Sequence, residues 1–163
     1  MLRVDQAGEY GATRIYAGQL AVLRPNCPEA KLISRMAAQE QRHLERFDEL
    51  VSQRRVRPTV LQPLWNVAGF ALGAVTGLIS EKAALACTDA IETEIDRHYS
   101  RQLDDLGDDD PELASDIAEF RAEEIEHRDT AREAGATMAA GYPILTAAIR
   151  AGCKVAIELS KRI

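Results

Sequence analysis

The sequence predicts an all-α fold: a four-helix bundle with an extra apolar connecting helix and a C-terminal amphipathic helix. Three observations carry that reading. Aromatic residues make up 5% of the 163 residues, and Gly and Pro number only 10 and 6, too few for the many turns of an all-β sandwich. Hydrophobic residues make up 46%, enough to bury one continuous core, which excludes a disordered chain. The helix breakers fall in short clusters between long stretches that lack them.

Residues 4–24 contain no proline and are rich in Ala, Leu and Arg; they predict a first helix, stopped by Arg24-Pro25-Asn26-Cys27-Pro28. A second helix follows over 29–55, with Leu32, Ile33, Met36, Ala37, Leu44, Phe47 and Leu50 at helical spacing, and Pro58 closes it. Residues 61–79 are almost free of charge. Within them Gly69, Gly73 and Gly77 recur every four residues, one smooth stripe on a helix that suits close packing. A third bundle helix is predicted over 88–106, before Gly107-Asp108-Asp109-Asp110-Pro111, and a fourth over 112–140, before Gly141-Tyr142-Pro143. The tail, 144–163, alternates apolar residues with Arg150, Lys154, Lys161 and Arg162, as an amphipathic helix does.

The net charge of −6 leaves no electrostatic footprint for nucleic acid. Three cysteines, Cys27, Cys87 and Cys153, with no C-x-x-C pair, suggest neither a disulfide framework nor a thiolate zinc site, and fit a reducing compartment. No secretory signal pattern opens the sequence. The expectation is a bacterial protein without a leader, or a chain from which a leader has been removed.

Chemistry enters with two E-x-x-H pairs, Glu40/His43 and Glu124/His127, each placing both side chains on one helix face. One such pair would mean little. Glu9, however, stands 31 residues before Glu40 and Glu92 stands 32 before Glu124, with a predicted turn at each midpoint. At 1.5 Å of rise per residue, each hairpin brings its upstream Glu level with its Glu-x-x-His. Docking the two hairpins gathers four carboxylates and two imidazoles, the ligand set of di-iron and di-manganese carboxylate bundles. Iron is favoured by the mix of hard carboxylates with imidazole. By analogy with such sites, Glu40 and Glu124 bridge the ions, while Glu9 with His43 and Glu92 with His127 are terminal ligands. The competing reading leaves these glutamates exposed and paired with arginines. Glu94, Glu123 and Glu126 are expected to be solvated, and His98 to lie outside the ligand set. Tyr16 and Tyr99, each seven residues after Glu9 and Glu92, either approach the metals or close the core with a satisfied hydroxyl. Asp5 and Asp89 either orient the ligating imidazoles or cap and pair at the surface.

The segments Arg3-Val4-Asp5-Gln6-Ala7-Gly8-Glu9-Tyr10-Gly11-Ala12 and Arg14-Ile15-Tyr16-Ala17-Gly18-Gln19, together with Ala86-Cys87-Thr88 leading to Glu92, resemble the 5-demethoxyubiquinone hydroxylase family over nearly the whole chain. That resemblance implies a single ferritin-like di-iron domain over residues 1–163, with metal ligands Glu9, Glu40, His43, Glu92, Glu124 and His127. It further implies a monooxygenase that uses O2 and a reductant such as NADH to hydroxylate the quinone ring of demethoxyubiquinone in ubiquinone biosynthesis. The resemblance places Tyr99, with His98 beside it, on the route of electrons and makes Tyr99 a candidate catalytic residue. No G-x-G-x-x-G follows a strand, so the nucleotide's own site is not legible. A polyprenyl quinone needs an apolar entry. If residues 61–79 spanned a bilayer the two hairpins would be separated and the metal site could not close, so a re-entrant or surface-lying helix is expected, with Arg54, Arg55 and Arg57 meeting anionic headgroups. The chain is thus expected on a membrane surface: the cytoplasmic face of a bacterial inner membrane, or the matrix face of the mitochondrial inner membrane if a leader has been removed. A lipid-binding accessory protein or a second copy of the chain is the other occupant expected for this apolar surface. An iron-storing bundle of the ferritin type is the alternative function.

Overall fold

The computed structural model describes residues 1–162 in the order α1 (Leu2–Val22), α2 (Pro28–Gln53), α3 (Gln62–Ile79), α4 (Glu81–Leu106), α5 (Pro111–Glu133), a short 3-10 turn (Ala136–Met138) and α6 (Tyr142–Arg162). No strand occurs among the described residues, and the expected all-α, ferritin-like bundle is what forms. Helices α1, α2, α4 and α5 build the bundle as two hairpins, α1 with α2 and α4 with α5. Helix α3 lies along α1, and α6 lies along α4. The chain is thus a repeat of three helices, and the third helix of each repeat covers the first from outside.

The turns predicted from prolines and glycines form for local reasons. Pro28 and Pro111 occupy the first turn of α2 and α5, where a missing N–H costs nothing. Cys27 Sγ accepts from Ala30 N at 3.3 Å and Asp110 Oδ1 from Leu113 N at 3.2 Å, capping the same two helices. Ser80 breaks α3 from α4 and accepts from Ala83 N at 3.0 Å. Two boundaries differ from expectation. Helix α4 begins at Glu81 rather than Thr88, because the run 83–87 is buried and continues the helix from the Ser80 cap. Helix α5 ends at Glu133 rather than near Ala140, because Gly135 takes a left-handed conformation, φ 99°, that stops it.

The glycine stripe of α3 is a packing surface. A Cβ on Gly73 would lie 1.9 Å from the Ile15 carbonyl oxygen, and one on Gly77 2.6 Å from Val22 Cγ2. Helix α1 answers with Gly18, whose Cβ would sit 2.1 Å from the Phe70 carbonyl oxygen. The two backbones therefore touch, and the bulkier residues of α3, among them Val67 and Leu78 at 69% and 71% exposure, face away from the bundle. No helix of the described residues is long and apolar enough to cross a membrane.

A Gly73→Ala variant should be destabilised by about 1–3 kcal/mol through backbone overpacking, seen as a melting temperature lower by roughly 3–10 °C.

Candidate metal centre

At mid-height of the bundle, α1, α2, α4 and α5 each turn a glutamate inward, and α2 and α5 add a histidine one turn further on. Glu9, Glu40, Glu92, Glu124, His43 and His127 are all between 0 and 2% exposed. The competing expectation, that these glutamates are ordinary surface residues, is therefore wrong. Ligand-capable atoms of Glu9, Glu40, His43 and Glu124 lie within 4.8 Å of one another, and so do those of Glu40, Glu92, Glu124 and His127. Glu40 and Glu124 belong to both groups. The two oxygens of Glu124 face different histidines: Oε1 is 3.1 Å from His43 Nδ1, and Oε2 is 3.4 Å from His127 Nδ1.

The donor set itself tests whether a metal fits. Among the described residues, the buried side-chain atoms without a hydrogen-bond partner include Glu9 Oε2, both oxygens of Glu40 and of Glu124, Glu92 Oε2, and the Nδ1 atoms of both histidines. Eight inward-facing lone-pair atoms left unpaired would be costly unless cations take them. Two divalent cations would also match the charge of the four carboxylates.

Histidine tautomers follow from a chain of contacts behind the site. Arg42 forks onto Glu123 at 2.9 Å to each oxygen. Partial burial pushes the Glu123 carboxyl up, but bonds from Arg42 and His43 hold it below the usual carboxylate range, so it is ionised and only accepts. His43 Nε2 therefore carries the proton in its 2.8 Å contact with Glu123. Gln39 Nε2 also donates to Glu123, at 3.4 Å, which turns its amide oxygen toward His127 Nε2 at 3.0 Å and makes that atom a donor too. Both imidazoles thus turn Nδ1 to the cluster, the nitrogen left to ligate once any proton on it is displaced. Phe120 stacks on the His43 ring at 4.1 Å between centroids and fixes its plane.

Glu123 was expected to be solvated, and this is corrected: its side chain is 20% exposed and holds the His43 imidazole. Glu94, also expected in solvent, is 2% exposed and paired with Arg150 at 2.7 Å and Arg97 at 2.9 Å. Glu126 is exposed as expected. Asp5 and Asp89 are buried but touch neither His43 nor His127. Asp5 accepts from His98 Nε2 and Gln102 Nε2, both at 2.8 Å, and Asp89 pairs with Arg132 and accepts from the Tyr142 hydroxyl. His98 stays outside the cluster. Gln39 and Glu123 were missed, yet a signal existed: each immediately precedes the glutamate of an E-x-x-H, and each serves the histidine of the opposite pair.

The tyrosines cross between repeats. Tyr16 on α1 donates to Glu92 Oε1 at 2.5 Å, and Tyr99 on α4 donates to Glu9 Oε1. Burial, together with Glu92 for Tyr16 and Glu9 for Tyr99, raises both hydroxyls well above their usual range and keeps them donors. Burial and the neighbouring Glu124, Glu9 and Glu92 carboxylates hold Glu40 well above the carboxylate range, and burial with Glu124 does the same to Glu92. Burial likewise raises Glu124. Burial lowers His43, but Glu124 and Glu9 overcome it and push the imidazole up to about 11; burial lowers His127. Without a compensating cation the core holds protons that a metal must displace.

Beside this centre, between the α1/α3 pair and the α4/α6 pair, lies a half-open apolar cavity of about 570 Å³. Its wall includes Glu9 and Tyr99 but neither Glu92 nor Tyr16, so it reaches one half of the centre only.

Residues 1–160 match the family model described as ubiquinone biosynthesis protein COQ7. The chain belongs to this family. Within the COQ7 family it is 57% identical over 162 residues to the 3-demethoxyubiquinol 3-hydroxylase of Rhodospirillum rubrum, covering 99% of this chain and 76% of the relative. It is 50% identical over 167 residues to the mitochondrial NADPH-dependent 3-demethoxyubiquinone 3-hydroxylase of Homo sapiens, covering 100% and 76%. The mitochondrial 5-demethoxyubiquinone hydroxylase of Saccharomyces cerevisiae is 42% identical over 179 residues, covering 100% and 77%. The family resemblance read from the sequence is borne out.

Metal uptake should release protons, measurable as a buffer-dependent heat in calorimetric titration, and affinity should fall as pH is lowered. The raised carboxyls and His43 make the metal-stripped protein less stable as pH rises, because the unfolded chain gives up those protons first. Stripping the metal should lower the melting temperature by roughly 5–15 °C, and by more at pH 8 than at pH 6. Glu123→Ala should weaken metal binding by about 10- to 100-fold while leaving the fold intact by circular dichroism.

Proposed function

We propose that this chain is a di-iron monooxygenase that hydroxylates the quinone ring of a demethoxyubiquinone, acting as one ferritin-like domain. The observation that carries the reading is the apolar cavity ending on Glu9 and Tyr99, at one edge of a buried four-Glu, two-His cluster. The hydroxylase names of its COQ7 relatives support the same substrate. Glu9 and His43 would hold one ion and Glu92 and His127 the other, with Glu40 and Glu124 between them; the sharing of Glu40 and Glu124 by both clusters supports this division. Two bound irons supply activation of O2, one atom going to the ring and one to water, with two electrons from a reduced nicotinamide nucleotide such as NADH. Relatives are named NADPH-dependent, so either nucleotide is a reductant to be assayed.

The chain's own residues do the rest. Glu123 and Gln39 orient the imidazoles through their Nε2 protons. Tyr99 holds Glu9 by a hydrogen bond and stands where the ring meets the centre, which makes it the candidate catalytic side chain. His98, on the same wall, is fixed by Asp5. The apolar wall, with Ile91, Ile95, Leu72 and Ile149, keeps water from the ring and accepts the prenyl tail.

The exposed apolar residues of α3 and α6, including Leu78 and Ile144 at 71% and 80%, lie on the two outer helices and support peripheral contact with a membrane surface. The faces proposed are the cytoplasmic side of a bacterial inner membrane or the matrix side of the mitochondrial one. Arg54, expected to meet headgroups, pairs instead with Asp110, which leaves Arg55 and Arg57 for that contact. A lipid-binding accessory protein or a second copy of the chain would dock on the same apolar face. A ferritin-type iron store would use the same ligands but has no use for the cavity.

Iron-loaded protein given a short-chain demethoxyubiquinone, reductant and ¹⁸O-labelled dioxygen should yield a ring carrying one labelled oxygen by mass spectrometry, with the product lost in Glu124→Ala. Absence of labelled ring from protein verified to hold iron would refute the reading.

A further inference from the structure

Gly8 and Gly11 lie in the interior of α1, and a Cβ built on either meets nothing within 4 Å. Packing does not require glycine here, unlike at Gly18, Gly69, Gly73 and Gly77, where a Cβ would strike the neighbouring helix. Positive φ does not require it either, unlike at Gly107, Gly135 and Gly141. Glycine in a helix interior weakens the helix relative to alanine. Something outside the chain must therefore need the space.

Both glycines line the cavity beside the metal centre, as do Val4 and Ile15. Val4, Gly8, Gly11 and Ile15 follow one face of the helix, so the two glycines form a bare notch between two bulky residues that are about 16 Å apart along the axis. The repeat sharpens the contrast. Aligning Glu9 with Glu92 sets Gly8 against Ile91 and Gly11 against Glu94, and all four line the cavity. Where α4 projects side chains into it, α1 shows backbone. Glu9, next in sequence to Gly8, reaches the same cavity, and its Oε2 is buried with no partner.

We infer that Gly8 and Gly11 are specificity-determining residues: their missing side chains form the flat seat for the quinone ring beside Glu9, and a larger residue at either position excludes the ring. The inference rests on the quinone-hydroxylase reading for the identity of the ligand. The seat admits a planar ring lying against the helix backbone, and Val4 and Ile15 limit its travel along α1.

Trp65 provides a readout that needs no turnover. It is the single tryptophan of the chain and lines the cavity, so a bound quinone should quench its fluorescence. Titration of a short-chain demethoxyubiquinone into metal-stripped parent protein should give saturable quenching. Gly8→Ile should raise the half-quenching concentration at least about tenfold, and Gly8→Ala by about two- to threefold, with melting temperatures no lower than the parent's because the space is open and helix propensity improves. In the iron-loaded enzyme the same series should raise KM far more than it lowers kcat. Parent-like quenching and KM in Gly8→Ile would overturn the inference, as would a melting temperature more than about 5 °C below the parent's or the absence of saturable quenching in the parent. Failure of the hydroxylase reading looks different: quenching that is saturable and sensitive to Gly8→Ile, with no labelled oxygen in the ring.

Discussion

Four glutamates share one dry core, and the rest of the molecule is arranged around what that requires. A carboxylate taken out of water is tolerated only if it is neutralised, paired or bound to metal. Among the described residues, no arginine or lysine enters the cluster. The available cations stand behind it: Arg42 on Glu123, Arg46 on Asp116 and Glu112, Arg150 on Glu94. These pairs join helices at the rim and leave the inner oxygens bare. His43 meets Glu124 and Glu9 from within, and the oxygens left without a hydrogen-bond partner fit a bound cation.

Orientation follows from the same need. A histidine can ligate only through a nitrogen that carries no proton, and each ring here has its other nitrogen committed as a donor, to Glu123 or to Gln39. The two partners are linked to one another, so one surface arginine, Arg42, sets the amide of Gln39 and the tautomers of both rings. The crossing tyrosines do the equivalent for two of the glutamates, Tyr16 holding Glu92 and Tyr99 holding Glu9. In each case the residue that aims a ligand comes from the other repeat, so neither hairpin has a correctly aimed half-site until the two dock.

Much of this could be read before any coordinates. The meeting of the six cluster residues was legible because they obey helix arithmetic: three residues within each pair, and a turn at the midpoint of each interval. The helix starts at Pro28 and Pro111 were legible because proline and its capping neighbour act locally. What depended on tertiary contact was not. Glu94 and Glu126 look alike in sequence, and only the arrival of α6 with Arg150 makes one buried and the other exposed. Asp5 was placed near the ligands by its spacing, but its partner, His98, is on another helix. The α3 glycines suited close packing, but which helix they meet was not legible, and the near contact of Gly73 with Ile15 shows it to be α1.

The two repeats are alike at the cluster and unlike beside it, and the difference gives the centre a direction. Were both halves open, water and substrate would reach either ion, and nothing would confine the reaction to one approach. Tyr16 is wholly buried in a core of Met36, Leu85 and Ala84, which closes the Glu92 side. The Glu9 side is left open by the two α1 glycines and by the separation of the α1/α3 pair from the α4/α6 pair. That separation exists because each outer helix packs on the first helix of its own repeat. Trp65 Nε1, donating to Ser160 Oγ at 3.1 Å, ties α3 to α6 across the groove. Duplication thus supplies a symmetric cluster, and the packing of the third helix in each repeat leaves it open to one apolar side.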